Sequence, residues 1–299
     1  YPASMKRYEV VASKSLHGLF YLLLIAIPLT GWITFGGFSE EVPAMAQAQD
    51  ARKVEIGYEI TFAGFAGFRI DFDVRFNGST YAAESRTFKE GLLRALTIHY
   101  EGRNRAWGGF TAQGVQPSAG SLSLVVGDKT RTWLAEYDKE GMARQSHSPE
   151  WKPQPQQAIP EDKQKSSLDP LSAALSVGLM GDAACDQTAP SNDGKRRIDV
   201  LLKKVGSETP AQAGIPQAKD DLLVCEVYTR RVAGEFYDAP EEAESKREAP
   251  MKLWLAHLDD TPFRYPVRLE AKTGFGTIRG KMLFFRERPL TDEEKATGR

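Results

Sequence analysis

Only two residues of this 299-residue chain carry a thiol, Cys185 and Cys225. They form no CxxC motif and stand near no histidine. Two cysteines alone do not complete a four-ligand zinc site. A lone pair in an exported chain reads as one structural disulfide, whereas redox pairs lie close in sequence or in exposed, electropositive surroundings. A second set, Asp169, Arg196, Arg197, Glu226 and Arg268, could converge on a polar cleft. There the arginines would hold a carboxylate or phosphate in bidentate fashion. If Asp169 and Glu226 faced each other across roughly 5 to 10 Å, they would make a hydrolase site. The competing assignment makes Asp169 a helix cap and the arginines outward strand residues. A third set is aromatic: Phe68, Phe72, Phe76, Trp107 and Trp133, with Phe65, Tyr81 and Phe110 nearby in sequence. These could line an apolar cavity for a lipid-like ligand, or simply fill a core.

Other chemistry finds no residues to carry it. His99, His147 and His257 share no ligand spacing, so no metal site is expected. There is no GxSxG, and Asp169 and Pro170 stand three residues after Ser166 and Ser167, so no Ser-x-x-Lys exists. No phosphate-binding loop or dinucleotide fingerprint appears, and Gly64-Phe65-Ala66-Gly67 links two strands rather than opening a helix. No catalytic residue and no cofactor is assigned. The net charge is -1, with 41% hydrophobic and 26% charged residues. That balance is ordinary for a globular chain, and scattered basic residues argue against a nucleic-acid partner.

The elements that must position these residues begin with an N-terminal segment. Lys6, Arg7 and Lys14 precede an uncharged run from Ser15 to Ser39, and Ala46-Gln47-Ala48 follows. This order predicts a secretory signal peptide over residues 1–48, cleaved after Ala48, and hence a periplasmic location. Left uncleaved, the run is long enough to anchor the chain in a membrane. The stretch from His17-Gly18 to Pro28-Leu29-Thr30-Gly31-Trp32 resembles one transmembrane helix of the cytochrome b-561 family, in which a histidine at the His17 position binds haem. The other helices and histidines of that family are missing, so no haem site can close.

From Lys53 the chain alternates apolar and polar residues with period two, the mark of strands with one buried face. Val54–Phe62 and Phe68–Phe76 predict a hairpin, and Asn77-Gly78 turns into a third strand. Gly91–Leu96 predicts a short helical turn. Strands are expected near 96–100, 106–113, 121–126 and 130–137, and the meander continues to about Ser148. Residues 149–167 carry Pro153, Pro155 and Pro160 among polar residues and predict a surface loop. Asp169 followed by Pro170 starts a helix near 169–180, with Leu171, Ala174, Leu175 and Leu179 on its buried face. Strands follow at 196–203, 222–232, 251–258, 265–271 and 276–285. Residues 291–299 form a charged, frayed tail. The fold class is mainly β: an antiparallel meander forming a barrel, open barrel or sandwich with one short helix, in a single domain over 49–290.

The second half also carries a family likeness. Leu168-Asp169-Pro170-Leu171-Ser172-Ala173-Ala174-Leu175 looks like a recurrent DPLSA helix. Cys185 followed by Asp193-Gly194-Lys195-Arg196-Arg197, Cys225 followed by Val232-Ala233-Gly234, Trp254-Leu255, and Pro266-Val267-Arg268-Leu269-Glu270 complete the pattern. The chain therefore resembles the uncharacterised bacterial family called domain of unknown function 3108, over about 53–285. Lys195 stands where an arginine is expected, and the stretch before Asp193 lacks the expected aromatic. The resemblance implies an exported β protein of the cell envelope and no particular reaction. Three functions remain on this reading. The first is a non-enzymatic envelope protein binding a hydrophobic ligand or a partner protein. The second is a periplasmic hydrolase built on distant carboxylates, and the third a membrane-anchored part of a redox or transport complex.

Overall fold

The structure, a computed structural model, describes residues 49–112, 114–165, 167–235, 250–273 and 276–297. The expected signal peptide and the His17 segment lie outside the described residues. Among those described, no helix is long and apolar enough to cross a membrane.

The alternating stretches fold as strands β1 (Gln49–Phe62), β2 (Phe65–Gly78), β3 (Thr80–Lys89), β4 (Tyr100–Thr111), β5 (Gly114–Val126), β6 (Lys129–Tyr137), β7 (Ala143–Ser148), β8 (Thr188–Asn192), β9 (Arg196–Glu208), β10 (Leu222–Gly234), β11 (Met251–Ala256), β12 (Tyr265–Thr273) and β13 (Gly276–Pro289). All lie in one sheet of order β7-β6-β5-β4-β3-β2-β1-β13-β12-β11-β10-β9-β8. Every neighbouring pair is antiparallel. The chain starts in the middle of the sheet and meanders outward to β7. It then crosses to the far edge at β8 and meanders back until β13 pairs with β1.

The crossover carries the central helix, Pro170–Leu179. The sheet curls round it, so that the helix touches β3, β4 and β5 on one side and β8 on the other. Eight of its ten residues are buried, more than the single face that spacing predicts. A helix enclosed on all sides must be apolar or small all round, which explains Ala173, Ser176 and Gly178. A Cβ at Gly178 would overlap the ring of Phe263. The N-terminal cap is as expected: Asp169 accepts hydrogen bonds from the Leu171 and Ser172 amides, both at 3.0 Å.

Among the described residues no ladder joins β7 to β8, so the barrel is open. Physical competition accounts for the gap. The outer edge of β8 is taken by the segment entering the helix, with Leu168 N donating to Pro190 O and Asn192 N donating to Leu168 O, each at 2.9 Å. The two halves still approach each other there, because the turn before β9 places Gly194 against Trp133 of β6 and His147 of β7.

Several expectations need correction. Residues 100–111 form one strand, β4, where two were expected at 96–100 and 106–113. The strand β8 was missed because Thr188-Ala189-Pro190-Ser191-Asn192 lacks alternation and contains proline, which only an edge strand tolerates. The proline-rich loop contains two short helical turns, Pro155–Gln157 and Glu161–Gln164. The tail forms a helix, Asp292–Thr297, because Glu294 reaches back to Arg288 at 2.6 and 2.7 Å and accepts from the Thr291 amide at 3.0 Å.

Candidate functional site

The inward rows of β1 and β2 meet those of β10 to β13 above the central helix without filling the space between them. The result is an apolar cavity of about 130 Å³. Its walls are Ile56, Tyr58 and Ile60 of β1, Ile70, Phe72, Val74 and Phe76 of β2, and Val227, Met251, Leu253 and Leu269 from the opposite strands; Leu171, Ala174 and Leu175 of the helix form its floor. Two features keep the space open. Gly280 of β13 offers no side chain where a Cβ would lie 3.1 Å from Ile60 Cδ1. The small Ala174 is the half-buried residue of an otherwise buried helix face.

Polar groups at the cavity are few. Tyr58 donates its hydroxyl to the Pro266 carbonyl at 2.7 Å, and its ring meets Phe72 edge-on at 5.5 Å. Burial pushes this phenol up, so it stays a neutral donor. Arg268 is the one charged lining residue. It stacks on Trp254 at 4.4 Å and pairs with Glu270 at 2.6 Å, and this bond holds the Glu270 carboxyl below its ordinary value.

Of the five aromatics expected at a cavity, the structure brings Phe72 and Phe76 to it and takes three elsewhere. Phe68 packs on Tyr100, with ring centroids 5.2 Å apart. Trp107 alternates with the buried Ala106 and Gly108 and so lies on the other face of β4. Trp133 is buried near the sheet edge and donates to Gln145 at 3.2 Å.

Below the cavity lies a buried ionic knot that sequence reasoning did not find. Arg52 Nη1 donates to Asp259 at 2.5 Å and to Glu287 at 2.7 Å, and its guanidinium sits 4.8 Å from the Phe76 ring centroid. Asp259 also accepts from Thr261 at 2.6 Å and Tyr265 at 2.5 Å. Burial alone would raise the Asp259 carboxyl, but bonds from Thr261, Tyr265 and Arg52 outweigh it and hold the group below its ordinary value. The partners are 207 residues apart in sequence, and no local pattern links them. The knot fastens β1 to the 257–264 connection and to β13, a structural duty in which both oxygens of Asp259 are engaged.

A sequence profile described as "Protein of unknown function (DUF3108)" matches residues 54–283, which spans β1 to β13. The chain belongs to this family. Among curated proteins no relative matches. Among solved structures, a protein titled "Crystal Structure of Beta-barrel-like Protein of Domain of Unknown Function DUF1849 from Brucella abortus" is similar, at 12% identity and a TM-score of 0.44, over 80% of this chain and 98% of that one.

In this DUF3108 chain the five polar candidates do not form a cleft. Asp169 is buried at the helix cap, where it also accepts from the Ser172 hydroxyl, itself 2.6 Å from the Tyr81 hydroxyl. Arg196 pairs with Asp193 at 2.5 Å and Arg197 with Asp199 at 2.7 Å, each inside its own turn or strand. Glu226 lies between the buried Cys225 and Val227 and accepts from Tyr228 at 2.6 Å, outside the barrel. Only Arg268 reaches the cavity. Asp169 and Glu226 therefore sit on opposite sides of the β10 wall, and the hydrolase pair does not assemble. The histidines are equally dispersed: His257 contacts Asp220 at 2.7 Å, His147 meets Trp151 edge-on, and His99 is exposed. Cys185 and Cys225 form a disulfide, with Cα atoms 5.7 Å apart. It lies within a second apolar cluster with Val200, Leu223 and Leu253.

Proposed function

We propose that this DUF3108 protein is an exported, non-enzymatic envelope protein that takes an apolar, lipid-like ligand into the cavity above its central helix. The observation that carries this reading is the cavity itself, lined almost wholly by aliphatic and aromatic side chains with one arginine among them. An apolar cavity near 150 Å³ in a protein interior excludes water and admits a benzene-sized group. A volume of about 130 Å³ thus accepts the end of an acyl chain or a single ring, with the rest of the ligand at the mouth. Arg268 gives that exposed end a cation if it carries a carboxylate or phosphate. Export is supported by the basic, apolar and small-x-small order of residues 1–48 and by the disulfide, which belongs to oxidising compartments.

The test uses 1-anilinonaphthalene-8-sulfonate with dodecanoate as competitor. The native chain should bind the dye saturably and release it to dodecanoate. Ala174→Phe, which fills the cavity from the helix, should weaken binding by at least about tenfold, as expected for losing one buried apolar group, with the unfolding midpoint unchanged. Equal binding by both proteins, or none by the native chain, would remove the cavity from consideration.

A further inference from the structure

The inner face of β3 and β4 carries polar side chains where a barrel interior is normally apolar. Alternation puts Ser85 and Thr87 of β3, and Tyr100, Gly102 and Asn104 of β4, on the same inward face as the core residues Ala83 and Ala106. Ser85, Thr87, Tyr100 and Asn104 are all buried. Asn104 Nδ2 donates to Ser85 Oγ at 3.0 Å. The Tyr100 hydroxyl, enclosed as it is, has no hydrogen-bond partner among the described residues. Burial pushes this phenol up, so it remains a neutral donor. Its place is set by Gly102: a Cβ there would lie 3.8 Å from the Tyr100 hydroxyl and 3.6 Å from Thr87 Oγ1. Gly102 thus leaves a notch on which two hydroxyls converge. A buried donor without an acceptor is costly and rare in native proteins, so the notch is incomplete by itself.

Register places the notch beside the cavity. Thr87 stands opposite Ile70 and Ser85 opposite Phe72, and both Ile70 and Phe72 line the cavity. Side chains directly opposite in an antiparallel pair have Cβ atoms about 5 Å apart. On the other side Gly102 stands opposite Leu124 and Asn104 opposite Leu122. These leucines face inward yet are only half-buried, so the interior stays open there. From Ile70 and Phe72 of β2 across to Leu124 and Leu122 of β5, neither row carries a charge. A carboxylate placed on these rows would lose its hydration with no cation to replace it. An ester carbonyl or a hydroxyl would instead accept the hydrogen bond that Tyr100 has to give.

We propose that the notch receives an uncharged, hydrogen-bonding head of the ligand, with Tyr100 donating and Thr87 and Asn104 beside it. The class held is then a neutral acyl amphiphile, such as a glycerol ester, rather than a free fatty acid. The inference rests on the apolar-ligand reading above, which places the tail in the cavity, but head and tail are measured separately.

The experiment displaces 1-anilinonaphthalene-8-sulfonate from the full chain with 1-dodecanoylglycerol and with dodecanoate, at neutral pH and below their micelle concentrations. Tyr100→Phe keeps the ring and removes the hydroxyl. With the native chain the ester should displace the dye at a lower concentration than the carboxylate. Tyr100→Phe should weaken the ester by about fivefold or more, the worth of one buried hydrogen bond, and leave dodecanoate unchanged. The ligand-free variant should unfold at the same or a higher temperature, because the lost hydroxyl bonds to no described residue of the free chain. Equal displacement by the ester from both proteins would overturn the site. So would an equal loss for both competitors, which would mean a distorted cavity. A lower unfolding temperature would overturn it too, because a trapped water would then already hold the hydroxyl. Displacement by dodecanoate alone defeats the neutral head and leaves the cavity standing, whereas no dye binding by the native chain removes the cavity and the head together.

Discussion

Asp169 shows how a single side chain can be necessary and costly at once. Its carboxylate caps the central helix, yet it is fully enclosed and burial raises its pKa to about 6. A carboxyl whose folded value lies above its unfolded value binds more protons when folded between those values. Its contribution to stability is therefore largest below about pH 4 and declines as pH rises to about 6. Asp169→Asn keeps an oxygen for the Leu171 and Ser172 amides and removes the buried charge. Relative to the native chain, it should gain stability between pH 4.5 and 7.5 in urea unfolding. Asp169→Ala should instead lose about 1 kcal/mol or more at both pH values, the typical cost of removing a cap. A difference between the Asn variant and the native chain that does not move with pH would show that the carboxyl is not protonated on folding.

At the scale of elements, the central helix is shaped by what surrounds it rather than by propensity. Glycine is a poor helix residue, yet Gly178 is required because the ring of Phe263 occupies the space of a Cβ. Gly178→Ala should destabilise the protein by about 1 to 3 kcal/mol through overpacking, despite the gain in helix propensity. Combining it with Phe263→Leu should recover part of the loss, and an unchanged or raised melting temperature for the single variant would disprove the contact. The strands show the same division. Phe68–Phe76 alternates so cleanly that β2 could be read directly. By contrast, β8 owes its existence to Leu168 on one side and β9 on the other, partners that local sequence does not name.

For the whole molecule, the topology sets where a covalent tie matters. The sheet is two meanders held together by β1 against β13 and by the helix between its free edges. The Cys185–Cys225 disulfide joins the segment after the helix to β10, 40 residues apart. A closed loop of that length stabilises the native state by roughly 4 kcal/mol in the chain-entropy picture. Cys185→Ala with Cys225→Ala should lower the unfolding free energy by about 2 to 4 kcal/mol, and reductant should do the same to the native chain and nothing to the double variant. A double variant as stable as the native chain would assign the pair no structural weight.

The sequence by itself determined the β class, most hairpins, the Asp169-Pro170 helix start and the family, because each depends on side-chain period, turn chemistry or short motifs that act over a few residues. Tertiary structure decided the rest. Whether the barrel closes depends on which segment occupies the β8 edge, and Leu168 occupies it. The Arg52–Asp259–Glu287 knot joins Arg52 to residues that lie more than 200 positions away in the chain. The cavity is the space left when the β1–β2 rows, the β10–β13 rows and the helix fail to fill one another. Alternation put Phe68, Phe72 and Phe76 on one inward face of β2, but did not show that only the last two would border the void. Burial is a property of one strand face, whereas a void is a property of three elements at once.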